Sequence, residues 1–260
     1  MSIIKKTIRP LKFTGIALRL ALNDTRSRFN RTILGPFWIV ISNMALVIGI
    51  TVVFGGIFNR PIREFVVYVA FGIATWGFTS GIITSSSNYL VGGKSLIFTY
   101  DMPWSVQILR NVLSQMIVYF VQIGIGIVVS LIALGLPSIW APIIILGIFI
   151  NFVAGCGLAL IISTLGARFR DLSHALSSVM LFLFLFTPVF WSEDALGETR
   201  AAMIQYNPLF HLLEVVRTPM LQGTVPWGSY AVASFVAIVS LIGGILIYTR
   251  NRATISLWIQ

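Results

Sequence analysis

Apolar runs of bilayer length recur along the chain, separated by short polar breaks. A helical span needs about 20 apolar residues. The runs 37–58, 65–84, 108–136, 140–165, 175–191 and 230–248 meet or approach that length and predict six transmembrane helices. The breaks carry helix-ending signals. Asn59-Arg60-Pro61 closes the first run, the turn at Pro137-Ser138 parts the third from the fourth, and Ala167-Arg168-Phe169-Arg170-Asp171-Leu172 parts the fourth from the fifth. Ahead of the first run, 17–33 predicts a helix with Leu18, Ala21, Leu22, Phe29 and Ile33 on one side and Arg19, Arg26 and Asn30 elsewhere. Asp24 and Arg28 make an i,i+4 pair on it. A basic amphipathic helix before a span lies in the membrane interface. At Gly35-Pro36 the backbone is free to turn and then start a helix.

Two polar stretches break the regular alternation. The connection 88–104 has a mixed face that suits a short helix on the membrane surface. It contains Gly92-Gly93-Lys94-Ser95, the tail of a phosphate-binding loop, but Asn88 stands where that loop needs Gly. Nor does the strand–loop–helix setting of such a loop exist after a membrane span. The stretch 192–227 carries Glu193, Asp194, Glu198 and Glu214 with Arg200 and Arg217. Its semi-apolar pieces, 201–206 and 209–221 around Asn207-Pro208, are too short to span and predict a re-entrant helical pair. Within the spans, Gly77-Phe78-Thr79-Ser80-Gly81 permits close helix contact, and Gln115 and Gln122, seven apart, face protein or a watery cavity.

Composition fixes the class. Of 260 residues, 57% are hydrophobic and 10% charged, against about 25% charged in a soluble domain; mean hydropathy is +0.92. The expectation is an all-α integral membrane protein: six transmembrane helices, an N-terminal amphipathic interface helix and the re-entrant pair between spans 5 and 6. It divides into a cytoplasmic segment, 1–34, and a transmembrane domain, 35–260. A net charge of +10 would suggest nucleic acid in a soluble chain. Here the basic residues flank spans, so they report orientation and no nucleic-acid partner is expected. Eight in the N-terminal segment, with Lys94, Arg110, Arg168, Arg170, Arg250 and Arg252, make 14 of the 18 Lys and Arg on one side. Arg60, Arg63, Arg200 and Arg217 fall on the other. Both termini are therefore expected in the cytoplasm. The first run is too long for a signal-peptide core, so the N-terminus is expected to be retained.

Candidate chemistry is sparse. Cys156 is alone, which excludes an intramolecular disulfide and a CxxC metal site. His174 and His211 are expected on opposite sides of the membrane, and there is no HExxH, GxSxG or intramembrane acid pair, so neither a catalytic nor a metal set is assigned. Without an intramembrane carboxylate, proton or sodium coupling is disfavoured and the energy for any transport comes from elsewhere. Trp38, Tyr68, Trp76, Phe182, Phe184, Phe186, Phe190 and Trp191 lie in or near spans. Each reads first as packing or an interfacial anchor. Phe182, Phe184 and Phe186 cannot all share one helical face, so some point into the protein, where aromatic faces can stack on sugar rings. Arg26, Arg28 and Arg31 read first as orienting charge and second as an anion site, since Arg offers paired donors matched to phosphate oxygens.

Three stretches, in order, resemble one family. Phe29-Asn30-Arg31-Thr32-Ile33-Leu34-Gly35-Pro36-Phe37-Trp38 looks like the start of the ABC-2 type permeases that export polysaccharides; Ala167–Leu172 is similar to their Arg-Tyr/Phe-Arg-Asp-Leu loop; Asn207-Pro208-Leu209 with Glu214 and Arg217 resembles their outer loop. Phe29 and Phe169 stand where many members carry Tyr. The resemblance implies a homodimer of six-span subunits in the bacterial inner membrane, working with a pair of separate ATPase subunits that bind ATP and Mg. It implies a glycan on a lipid carrier, usually undecaprenyl pyrophosphate, as substrate. Under it, Arg26, Arg28 and Arg31 receive the pyrophosphate, and Trp38, Tyr68, Trp76, Phe182, Phe186 and Phe190 line the glycan path. Arg19, Lys94, Ser95, Asp101, Arg168, Arg170 and Asp171 dock the ATPase. The competing readings are an ABC-2 permease for a drug or simple lipid, and a membrane-embedded transferase, which the missing acid/base pairs disfavour.

Overall fold

The computed structural model describes residues 9–28, 32–58, 61–94, 99, 102–136, 138–191 and 203–259, and every regular element among them is helical. In chain order these are α1 (Arg9–Ser27), α2 (Phe37–Gly55), α3 (Ile62–Gly92), α4 (Trp104–Leu134), a 3-10 turn (Ala141–Ile143) leading into α5 (Ile144–Arg168), α6 (Leu172–Phe186), α7 (Pro208–Leu221), α8 (Trp227–Asn251) and α9 (Ile255–Ile259). Among the described residues, five helices are long and apolar enough to cross a membrane: α2, α3, α4, the Ala141–Arg168 stretch and α8.

The bundle is organised around α3. Of its most apolar window 72% is buried, against 17% for α2 and 28% for α8. Val67, Phe71, Ala74, Phe78 and Ile82 recur at helical spacing and pack on Val112, Met116 and Tyr119 of α4 and on α5. The other face, with Phe65, Val69, Ile73 and Trp76, packs on Val47 of α2, Met180 of α6 and Val189. Polar groups lace α3 to α4. Ser85 donates to Asn111 Oδ1 at 3.0 Å, Asn111 Nδ2 donates to Ser86 Oγ at 2.9 Å, and Gln115 Nε2 donates to the Gly81 carbonyl at 3.3 Å. Gly77 and Gly81 face those glutamines: a Cβ on Gly81 would stand 3.0 Å from Gln115 Oε1, and one on Gly77 3.4 Å from Gln122 Oε1. The small-residue spacing thus makes room for side-chain amides rather than for a facing backbone.

Several predicted boundaries move, each for a local reason. Residues 88–92 belong to α3 rather than to a connection, and α4 starts at Trp104 rather than 108. Ser85 and Asn111 satisfy each other across the pair, so polar residues here do not end α3. Each helix has 31 residues and is roughly 46 Å long, well beyond a hydrocarbon core of about 30 Å. α1 stops at Ser27, not 33; the Ser27 hydroxyl donates back to the Asn23 carbonyl at 2.6 Å, and Gly35 takes the corner at φ +53. The buried stripe of α1 is Ala17, Ala21 and Thr25, while Leu18 and Leu22 are exposed. Small residues let α1 approach α4 closely, where Ser114 Oγ donates to the Ala21 carbonyl at 3.4 Å. Asp24 is not committed to Arg28 on its own helix; its carboxylate is held by Arg110 and Tyr89.

The predicted fifth span is shorter than expected. α6 has 15 residues and reaches roughly 22 Å. Pro188 ends it, because a residue before proline is driven out of helical conformation; Thr187 sits at φ −98, ψ 133. The chain then turns into the bundle. Val189 is fully buried, and its carbonyl oxygen lies 2.2 Å from where a Cβ on Gly72 would be. Only glycine at 72 admits that backbone.

Candidate functional site

Contacts define two ends of the bundle. Asp24 of α1, Tyr89 of α3 and Arg110 of α4 meet at one. The end of α5 joins them, since a Cβ on Gly166 would stand 2.0 Å from the Ser87 carbonyl oxygen. α9 lies there too, through Arg168, whose guanidinium carbon is 5.3 Å from the Phe169 ring centroid and 5.6 Å from that of Trp258. The groups of basic residues that the sequence assigns to one side, where described, thus share one end, here termed the basic end. Tyr68, Pro188, Asn207 and Arg217 meet at the opposite end.

At the basic end two grooves flank α1. The first, about 530 Å³, is lined by Arg19, Leu22, Asn23, Thr25 and Arg26 of α1 with Pro36 and Ile117. The second, about 440 Å³, is lined by Asp24, Ser27 and Arg28 with Asn88, Tyr89, Gly93, Gln107 and Arg110 among others. Arg26 and Arg28 therefore line different grooves, as residues two apart on a helix must, and Arg19 shares the first groove with Arg26 at a spacing of seven. Arg31, Ser95 and Asp101 lie outside the described residues. Lys94, Arg170 and Asp171 are exposed, and Asp171 occupies the cap position of α6 without a side-chain capping bond.

The opposite end is built on a buried ion pair. Arg217 of α7 is 2% exposed. Its Nε donates to Glu214 Oε1 at 3.1 Å, its Nη2 donates to the same oxygen, and Nη1 donates to the Pro188 carbonyl at 2.8 Å. Thr218 Oγ1 donates to the other Glu214 oxygen. The guanidinium also lies over the Tyr68 ring, 3.7 Å from its centroid, a cation–π contact strengthened by exclusion of water. Tyr68 in turn donates its hydroxyl to the Trp191 carbonyl at 2.6 Å. Asn207 caps α7 by accepting from the Leu209 N–H at 3.0 Å and donates to Thr187 Oγ1 at 3.0 Å. The Asn-Pro-Leu stretch and the acid–base pair after it are thus a helix start and an anchor for the chain leaving α6. His211 is a structural residue as well: its Nε2–H donates to the Gln205 carbonyl at 2.8 Å, which leaves Nδ1 to accept from Ser229 Oγ at 3.0 Å.

The aromatic residues divide between interior and surface. Tyr68 and Trp76 are buried; Trp76 packs on Phe184 with centroids 5.5 Å apart, and Phe190 lies 5.1 Å from Phe54 and 5.4 Å from Phe184. Phe182 and Phe186, one helical turn apart, are 57% and 58% exposed and stack at 4.3 Å. With Trp191, Met203, Tyr206 and Asn207 they line a groove of about 710 Å³. Trp38 is 42% exposed at the start of α2. Trp191 and Tyr206 join that groove without having been assigned to it from sequence; their positions beyond a proline and beside the helix cap carry no periodic signal.

A family model described as ABC-2 type transporter matches residues 18–221. Over 234 residues the chain is 26% identical to the O-antigen export system permease protein RfbA of Klebsiella pneumoniae, covering 88% of this chain and 89% of that protein. It is 24% identical over 251 residues to the polysialic acid transport protein KpsM of Escherichia coli, covering 91% and 94%. An RfbA of Myxococcus xanthus is 19% identical over 208 residues, 78% of each.

Proposed function

The chain belongs to the ABC-2 type transporter family, and from that premise we propose that it is the permease subunit of an ATP-driven polysaccharide exporter. Its substrate is a lipid-linked, O-antigen-like glycan, carried from the cytoplasm to the outer face of the bacterial inner membrane. The observation that carries this reading is similarity along nearly the whole chain to proteins named for O-antigen export and for polysialic acid transport. Those names favour a glycan over a drug or simple lipid. The chain acts as a transporter subunit rather than an enzyme.

In this reading the basic end faces the cytoplasm, with both termini. α6 completes a sixth crossing with the help of the chain after Pro188, and α7 forms the second arm of a re-entrant pair. Segment 1–34 lies at the interface and 35–260 forms the transmembrane domain. A second copy of the chain completes the path, and a pair of ATPase subunits binds ATP and Mg. Arg19, Lys94, Ser95, Asp101, Arg168, Arg170 and Asp171 serve the ATPase. Trp38, Tyr68, Trp76, Phe182, Phe186 and Phe190 serve the path: Phe182 and Phe186 offer open faces for sugar rings, while the buried Tyr68 and Trp76 and the half-buried Phe190 shape the wall behind them.

Arg26, Arg28 and Arg31 receive the carrier's pyrophosphate, Arg26 from the groove beside Pro36 and Arg28 from the groove on the other side of α1. Guanidinium forks match phosphate oxygens, and the positive dipole end of α2 lies beside Pro36, which lines the groove of Arg26. Single Arg→Ala and Arg→Lys variants are expected to lower surface polysaccharide about tenfold or more, as loss of a charge-assisted phosphate contact should, with normal protein level and ATPase assembly. If the residues only orient the chain, Lys replaces Arg without loss. Wild-type export by all three Ala variants would remove the pyrophosphate site from this cluster.

A further inference from the structure

We infer that Asp24, Arg110 and Tyr89 form a clasp that transmits movement between the connection following α3 and the interface helix α1. The clasp couples ATP hydrolysis to export. This inference rests on the functional reading above, in which the α3–α4 connection and α1 meet the ATPase.

The geometry is that of a joint among three elements. Arg110, in the second turn of α4, presents a guanidinium fork to Asp24 of α1: Nε donates to Oδ2 at 2.6 Å and Nη2 donates to Oδ1. Tyr89, at the end of α3, donates its hydroxyl to the same Oδ2 at 2.9 Å. The Arg110 and Asp24 side chains are 13% and 22% exposed. Two parallel charge-assisted bonds fix orientation as well as distance, so α1 cannot turn about its axis while the fork is closed.

The network continues to both roots of the connection. Arg110 Nη1 donates to Gln107 Oε1 at 3.3 Å. Gln107 is buried against Gly93, where a Cβ would stand 2.0 Å from Gln107 Nε2 and 2.7 Å from its Cδ. Gly93 closes α3, and Gln107 sits one turn before Arg110 on α4. A displacement at the root of the connection therefore meets Gln107, then Arg110, then Asp24 and α1. Below the clasp, α1 packs on α4 through the small, uncharged Ala17 and Ala21, with a long hydroxyl bond from Ser114 to the Ala21 carbonyl at 3.4 Å, so among the described residues the charged restraint on this seam is the clasp.

The clasp also explains how α1 is specified. The small-residue seam along Ala17 and Ala21 is compatible with neighbouring rotations of the helix, whereas a bidentate carboxylate–guanidinium pair accepts one. Arg110 and Tyr89 thus act as positioning residues for the interface helix, and neither need touch glycan or nucleotide.

The test uses the full complex of permease and its ATPase in vesicles, reading glycan exported per ATP hydrolysed and ATPase retained on purification. Asp24→Asn keeps the shape but loses the charge, and Arg110→Lys keeps the charge but loses the fork. Each is expected to cut export per ATP about fivefold or more, the size of a broken coupling, with ATPase retention unchanged. The exchanged pair Asp24→Arg with Arg110→Asp is expected to recover most of the loss. A purely structural role would lower protein level and leave export per ATP unchanged in the protein that remains. Wild-type export per ATP in both single variants, or an exchanged pair no better than either alone, would overturn the clasp. A wild-type chain that retains no ATPase would overturn the functional reading, and the clasp with it.

Discussion

Replacing Arg217 by Ala is expected to remove most of the folded protein from the membrane. The guanidinium is buried, and four groups depend on it: the Glu214 carboxylate, the Pro188 carbonyl, the Tyr68 ring and, through Glu214, the Thr218 hydroxyl. Breaking a buried pair from one side leaves an uncompensated charge and costs about 3–5 kcal/mol, against a total stability of about 5–15 kcal/mol for a folded domain. The double variant Arg217→Ala with Glu214→Ala removes both charges and is expected to be less damaged than Arg217→Ala alone. Arg217→Lys keeps a cation but not the fork, and falls between. Thermal unfolding of the solubilised protein, with membrane yield, measures all three. An Arg217→Ala protein with wild-type yield and melting temperature would show that the pair does not anchor α7 to the chain leaving α6.

Alanine at Gly157 or Gly166 is expected to prevent the bundle from closing, whereas alanine at Gly124 is expected to be harmless. A Cβ on Gly157 of α5 would stand 2.3 Å from the Leu241 nitrogen and 2.5 Å from the Ser240 carbonyl oxygen of α8. One on Gly166 would stand 2.0 Å from the Ser87 carbonyl oxygen and 2.8 Å from its Cα in α3. These neighbours are backbone, so no rotamer change relieves the clash; the helices themselves must part. Gly244 of α8 returns the contact, with the Gly157 oxygen 2.6 Å from its own Cβ position. Overpacking a close seam costs about 1–3 kcal/mol and sometimes more, and rigid backbone puts these sites at the upper end. Gly124 has nothing within 4 Å, so alanine there gains helix propensity of up to about 1 kcal/mol. Monodisperse yield after extraction separates the outcomes. Equal yield for all three alanine variants would contradict a glycine-limited approach of α5 to its neighbours.

Periodicity along the chain foretold most helices because a bilayer imposes length and apolarity on each one separately. Gly35 takes the corner before α2, and Gln115 meets the Gly81 backbone, both as local rules require. What escaped is long-range. Asp24 looked committed to Arg28 four residues away, yet its partner Arg110 is 86 residues on; i,i+4 spacing reports proximity on one helix and nothing about a competing fork from another. Glu214 and Arg217 stood in a stretch that reads as a re-entrant helical pair on the outer side, with neither assigned a partner in its interior. They are instead a buried pair, which sequence pattern cannot distinguish from a solvated one. Among the aromatics, Phe182, Phe184 and Phe186 do not all share one face: Phe184 packs on Trp76, and Phe182 stacks on Phe186 outside. Which side faced inward depended on α2 and α3, whose faces the local pattern does not locate. α6 read as a longer span because apolar content continues past Phe186, while Pro188 already bends the chain inward.

Vesicles containing the purified chain and its ATPase partner, with labelled glycan on a pyrophosphate lipid carrier added on the ATPase side, report whether the two together move a lipid-linked glycan across a bilayer. The measurement is the fraction of glycan protected from an impermeant glycosidase added to that same side. Protection that rises only with ATP, and only when both proteins are present, is the predicted result. Protection that rises without ATP, or with the chain alone, or no protection of the glycan while a simple lipid is moved by the same complex, would contradict it.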